Sequence, residues 1–307
     1  MDKALPVGQR FIRALNKYWM LYALLFPVMA FYLVFNYLPM FGVVIAFQNF
    51  RVTRGFFASE WVGFKHFVTF FNSEYMWRTI RNTLSISGLG LLFGFPVPII
   101  LALLLNELRG DKFKKLVQTV TYMPHFISTV VVVAIVLNFV STNGLINEIR
   151  HRLGAEPIRF ASDPNLFYPT YIISGIWQHI GWDSIIFLAA LAGVDPVLYE
   201  AATIDGAKRM RKIWHITLPG ITPIIVLMLI LRLGNIMSVG FEKIILMYNP
   251  GLYEKADVIS SYVYRRGITG GEYSFASAVG LFNSVVNFIL LLTADKISKR
   301  AGQSGLL

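Results

Sequence analysis

Six long apolar runs dominate the chain, at about 19–42, 80–105, 118–140, 169–192, 220–241 and 275–294. Each is near the roughly 20 residues a helix needs to cross a bilayer. The pattern predicts an all-α integral membrane protein with six transmembrane helices forming one domain over 19–294. Residues 43–79 interleave Phe, Trp and Tyr with Arg51, Arg54, Lys65 and Arg78, as in a helix or loop lying at the membrane interface. Residues 141–168 and 242–274 are rich in Gly, Pro, Asn and Asp and are expected to be loops. Prolines at 27, 39, 96, 98, 124, 219 and 223 fall in or beside the runs. Proline is common in membrane helices, so static kinks are expected rather than moving hinges.

One polar interruption differs from the rest. Residues 195–219 read as a helical hairpin, opened by an Asp195 cap with Pro196 in the first helical position. The first helix is expected to run to about Ile204, and Gly206 lets the backbone turn. A second helix carries Lys208, Arg209, Arg211 and Lys212 and is expected to stop at Pro219. Ala201, Ala202 and Ala207 are small enough for another surface to approach closely. The hairpin has the form of something a partner grips.

Charge orients the runs. The net charge is +11 in a chain that is 55% hydrophobic and 15% charged, with a mean hydropathy of +0.58. Its basic residues flank apolar runs, so they point to anionic lipid headgroups and topology rather than to nucleic acid. Residues 1–18, 106–117, 193–219 and 295–307 hold 15 of the 28 Lys and Arg. The positive-inside rule therefore places both ends and the hairpin in the cytoplasm. Lys3, Arg10, Arg13 and Lys17 precede an apolar run too long for a signal-peptide core, which reads as an uncleaved first span.

Catalytic signals are poor. The chain has no cysteine, which excludes disulfides and thiolate chemistry. HExxH, GxSxG and GxxxxGK[ST] segments are missing, and the five histidines show no metal-ligand spacing. Uphill movement of a solute would have to draw on a partner or an ion gradient.

The hairpin decides between these. Glu200-Ala201-Ala202, Asp205-Gly206-Ala207 and Ile216-Thr217-Leu218-Pro219 resemble the EAA loop of binding-protein-dependent ABC importer permeases. Asn82-Thr83-Leu84, Leu104-Leu105-Asn106-Glu107, Tyr122-Met123-Pro124-His125-Phe126-Ile127 and Tyr248-Asn249-Pro250 resemble the carbohydrate (maltose-type) branch and its oligosaccharide and polysaccharide subgroup. The likeness runs from about Tyr22 to Lys299. It implies the type I ABC importer permease (MetI-like) fold, in a prokaryotic plasma membrane. It also implies that Glu200, Ala201, Ala202, Asp205 and Gly206 dock on an ATP-binding subunit. The expected partners are a second homologous permease, two ATP-binding subunits and an extracytoplasmic solute-binding protein. No cofactor is expected in this chain; ATP and Mg belong to the ATPase. Asn106-Glu107-Leu108-Arg109 reads as a solvated loop rather than a second contact with the ATPase.

Polar groups inside the spans are candidates for the transport path, because charges in a bilayer face cavities or partners. Sugars need aromatic faces for stacking and amide, hydroxyl and carboxylate groups for hydrogen bonds. Gly175, Trp177, His179, Trp182 and Asp183 in the fourth span supply such groups, as do Arg232, Asn235, Ser238 and Glu242 at the fifth. Likeness to maltose-type permeases sets Gly175, His179, Trp182, Asn235 and Ser238 near the sugar contacts. The same residues also fit plainer roles: an interface belt, helix packing for His179, or an Asp183–Arg232 pair. An ion-coupled transporter would use Asp183, Arg232 and Glu242 as coupling charges but leaves the hairpin unexplained. A membrane-embedded enzyme needs a convergent catalytic set, which the sequence does not offer.

Overall fold

A computed structural model of the chain describes the backbone of residues 7–108, 110–302 and 305, and the side chains among these from residue 16 onward. Lys3, Arg109 and part of the C-terminal tail thus lie outside what is described, as do the side chains of Arg10 and Arg13. Helices dominate. Among the described residues, the single exception to the all-α expectation is a short antiparallel pairing of Gln48–Asn49 with Glu60–Trp61.

Among the described residues, four helices are long and apolar enough to span a membrane: Asn16–Phe47, Glu74–Glu107, Arg209–Leu233 and Tyr273–Arg300. Two bent pairs bring the number to as many as six. In the first, Asp111–Phe126 and Thr129–Phe139 meet at 102°, so the continuous third span expected over 118–140 is broken. Pro124 is the second residue of the 3-10 turn Met123–Phe126, which ends at Ile127 with extended backbone, and the Ser128 hydroxyl caps the next helix at Val131 N–H. In the second pair, Pro164–Ala192 is the fourth span, and Pro196–Ile204 leaves it at 69° as the first arm of the hairpin.

Pro219 does not stop the hairpin's second helix. That helix continues from Arg209 to Leu233 through a π turn at Ile213–Thr217. The same arrangement occurs twice more. A π turn at Leu33–Tyr37 precedes Pro39, and one at Gly90–Gly94 precedes Pro96. Proline removes a donor and its ring crowds the carbonyl four residues back. The wider turn moves that carbonyl into another register and lets the helix pass the ring.

Other boundaries move as well. The fifth span ends at Leu233 rather than near 241, and Phe241–Met247 forms a separate helix. The two segments expected to be loops contain further helices at Leu145–Arg152, Tyr253–Ala256 and Ile259–Val263. A buried polar cluster ties the last of these to the second span. Asp257 is fully buried and accepts from Arg78 at 3.0 Å, Arg265 at 2.8 Å and Ser261 at 2.9 Å. Asn82 donates to the Glu254 and Asp257 carbonyls at 2.9 and 3.0 Å and accepts from the Tyr168 hydroxyl. Burial alone would lower the Arg265 pKa, but the Asp257 carboxylate holds it above its ordinary value.

The fourth span is the centre of the bundle. Toward the hairpin end, Phe187 and Leu191 pack with Ile99, Ala102 and Ile221 of the second and fifth spans. Toward the opposite end, Phe167 joins Ile86, Ile244 and Val258. The first span stands apart over residues 16–40, where almost every side chain is exposed, and its end, Phe41–Phe47, packs on the last span with Ala46 fully buried. Small residues set the close crossings. A Cβ on Gly181 would lie 2.2 Å from the Thr121 carbonyl oxygen. Gly181→Leu should force the third and fourth spans apart at a cost of about 1–3 kcal/mol, the scale of overpacking. A lower Tm of the purified protein in detergent would report it, and an unchanged Tm would refute the crossing.

Candidate functional site

The hairpin between the fourth and fifth spans is rigid and exposed. Asp195 accepts from the Val197 N–H at 2.9 Å and caps Pro196–Ile204. At the other end Gly206 takes φ +71°, Gly206 N–H bonds to Thr203 O at 3.1 Å, and Ala207 N–H to Ala202 O at 2.8 Å. This paired closure of the last carbonyls needs a residue at ease in the left-handed region. Three contacts brace the two arms. The Tyr199 hydroxyl donates to Thr217 Oγ1 at 3.0 Å. Lys212 reaches Thr203 Oγ1 at 2.7 Å. Gly220 lies so close to Val194 that a Cβ there would sit 2.9 Å from it.

A fourth brace was not legible in the sequence. Arg209 pairs with the Glu107 carboxylate and donates to its carbonyl at 2.7 Å, fastening the hairpin to the end of the second span. Glu107 is therefore a strut rather than a solvated loop residue. Of the five expected docking residues, Glu200, Ala201, Asp205 and Gly206 are exposed and Ala202 is half-buried. Apolar side chains surround them without cover: Val197, Leu198 and Met210 are exposed, and Ile204 is 88% exposed.

The second feature is a cavity of about 510 Å³ walled by the second, fourth and fifth spans and the start of Phe241–Met247. It brings together Gly175, His179, Asp183, Arg232 and Glu242. Arg232 donates to the Asp183 carboxylate at 2.6 Å. His179 Nδ1 lies 3.2 Å from His125 Nδ1, and the His125 ring stacks on Trp182 at 4.4 Å. Trp182 thus stands beside the cavity, against the broken third span. The other three candidates lie elsewhere. Trp177 lines a separate apolar groove with Ile135, Phe139 and Ile173. The Asn235 amide donates to the Leu231 carbonyl, and Ser238 accepts from Asn287 of the last span.

Tyr171, Gln178 and Lys243 also line the cavity and were missed. Residues 171, 175, 179 and 183 follow each other at i, i+4, i+8 and i+12, one stripe of a helix. That spacing would have found Tyr171 and set Trp177, two residues past Gly175, on the opposite face. Gln178 donates to the Ile127 carbonyl at 3.4 Å, next to the break in the third span. Lys243 is only 8% exposed and donates to the Tyr171 carbonyl at 3.0 Å, its ammonium 4.7 Å from the Tyr171 ring centre. Burial pushes its pKa down to about 8. A Cβ on Gly175 would meet the Lys243 Nζ at 3.3 Å, so the bare glycine makes room for the ammonium. Lys243 lies in a segment whose composition reads as a loop, which concealed it. Among the described residues, no three His, Asp or Glu side chains are grouped to hold a metal.

A polytopic helical bundle with a braced, uncovered hairpin on one end and a polar cavity between its spans is a membrane transport subunit. The comparisons specify the kind. The chain belongs to the family of binding-protein-dependent transport system inner membrane components, whose family model matches residues 94–303. It is 47% identical to the protein LplB of Bacillus subtilis (strain 168) over 300 residues, 97% of this chain and 94% of that one. It is 45% identical to the polygalacturonan/rhamnogalacturonan transport system permease protein YteP of the same organism, over 93% of this chain and 89% of that one. A chain in the crystal structure of a bacterial alginate ABC transporter, in complex with an alginate pentasaccharide-bound periplasmic protein, superposes with a TM-score of 0.89. That match has 45% identity and covers 97% of this chain and all of the other. The chain is thus the permease subunit of an ABC importer, with ATP hydrolysis on a separate subunit, and the ion-coupled alternative has no support.

Proposed function

We propose that this subunit imports an oligosaccharide, with acidic chains the favoured class, by ATP-driven alternating access. One observation carries the reading: the exposed hairpin joins two of the spans that wall the polar cavity, the fourth and the fifth. Closure of an ATPase dimer would move Pro196–Ile204, and the rigid braces would pass that movement to the fourth and fifth spans. In this reading Glu200, Ala201, Ala202, Asp205 and Gly206 form the dock. Gly175, His179, Asp183, Arg232 and Glu242 face the sugar, with Trp182 flanking them. Trp177, Asn235 and Ser238 are left with packing roles. The acidic preference draws on Lys243, a cavity-lining cation with no carboxylate within ion-pair distance among the described residues, and on the uronate-containing polymers that the relatives' names give.

The complete importer would hold a second homologous permease, two ATP-binding subunits carrying ATP and Mg, and an extracytoplasmic solute-binding protein. It would sit in a prokaryotic plasma membrane with both termini cytoplasmic. Proteoliposomes containing the whole complex test the proposal. Uptake of labelled uronate oligosaccharides should require both ATP and the binding protein. Uptake by this chain alone, driven by an ion gradient, would overturn it.

A further inference from the structure

Two cations line the cavity, and their surroundings differ. Arg232 is already neutralised by Asp183 at 2.6 Å. Lys243 is 8% exposed and has no carboxylate within ion-pair distance among the described residues. A buried charge without a counter-charge is costly, and proteins keep one where a ligand supplies the partner. The protein groups that hold it are neutral: the Tyr171 carbonyl accepts its hydrogen bond at 3.0 Å, and the Tyr171 ring centre lies 4.7 Å from the ammonium. An ammonium has three donors, so two remain for a ligand. The wall beside it is stripped of bulk, since Gly175 faces the Nζ and Gly90 and Gly94 line the same cavity.

We propose that Lys243 is the seat of a sugar carboxylate, receiving one uronate group of the passing chain while its Tyr171 bond holds the ammonium in place. The inference rests on the acidic-oligosaccharide reading above. Lys243 would be a specificity residue: a neutral sugar leaves the buried ammonium unpaired, whereas a uronate completes it. The lowered pKa agrees with an ammonium held without a counter-charge.

The test measures uptake of trigalacturonate, at concentrations well below saturation, by proteoliposomes of the complete importer with wild-type, Lys243→Arg, Lys243→Met and Lys243→Gln subunits. Rates are taken per assembled complex. Losing a charge-assisted hydrogen bond should slow the Met and Gln variants about 10- to 100-fold, with Arg within a few-fold of wild type. Equal losses in Arg, Met and Gln would make Lys243 a packing residue and overturn the proposal, as would no loss in any of them. The two neutral variants differ in shape, so failure of one to assemble leaves the other to decide. Absence of trigalacturonate uptake by the wild type, with uptake of a neutral oligosaccharide, would sink the acidic-substrate reading and this inference with it. Loss confined to the neutral variants would support both.

Discussion

Gly206→Pro is expected to abolish uptake and to detach the ATP-binding subunits while leaving the transmembrane bundle folded. Gly206 stands at φ +71°, whereas proline is confined near −65°. Its N–H also donates to Thr203 O, and the following Ala207 N–H to Ala202 O. Proline removes the first bond outright and turns the chain away from the second. Strain and lost bonds together are worth about 3 kcal/mol, or roughly a hundredfold in any equilibrium that needs the intact turn. Gly206→Ala should be milder, because a left-handed alanine costs about 1–2 kcal/mol. Glu200→Ala separates docking from folding, since Glu200 is exposed and makes no hydrogen bond or ion pair among the described residues. Co-purification of the ATPase with tagged permease, beside uptake, reads all three. Full retention of the ATPase in Gly206→Pro would refute the coupling role of the turn.

The hairpin was legible in the sequence because its determinants are local. Asp195, Pro196 and Gly206 each act within a few residues, through caps and φ preferences that do not depend on the rest of the fold. The six apolar runs were legible for a similar reason, since bilayer thickness imposes their length. What escaped depended on compensation between distant or unseen groups. Pro219 reads as a stop signal, yet the π turn before it takes up the ring. The break in the third span needs the Ser128 cap and the Gln178 side chain from another helix. Residues 141–168 and 242–274 look like loops by composition, but the helices Tyr253–Ala256 and Ile259–Val263 are held by contacts to the second span through Asn82 and Asp257, and Asn147 ties Leu145–Arg152 to the Ser141 and Ile158 carbonyls. Within the cavity, the helical stripe was available to the eye, whereas Lys243 reaches its place only through tertiary packing.

Asp257→Asn should be the most destabilising single substitution in the half of the molecule away from the hairpin. The carboxylate is fully buried and serves Arg78, Arg265 and Ser261 at once. Asparagine keeps its shape and removes its charge, leaving two guanidinium groups facing a neutral amide. Removing one partner of a buried ion pair typically costs about 3–5 kcal/mol. The lower end, about 3 kcal/mol, applies because the arginines are 28% and 30% exposed and water can partly take over their solvation. The exposed Arg152–Glu148 pair provides the contrast. Both of its side chains are more than half exposed, and an i, i+4 pair of that kind contributes only about 0.3–0.5 kcal/mol. Thermal unfolding of the purified protein in detergent should therefore show a Tm lower by several degrees for Asp257→Asn and barely moved for Glu148→Gln. Arg78→Met combined with Asp257→Asn should recover part of the loss, because one of the two uncompensated cations is gone. If the double variant proved no more stable than Asp257→Asn alone, the cluster would be held by Asn82 and its backbone bonds rather than by charge.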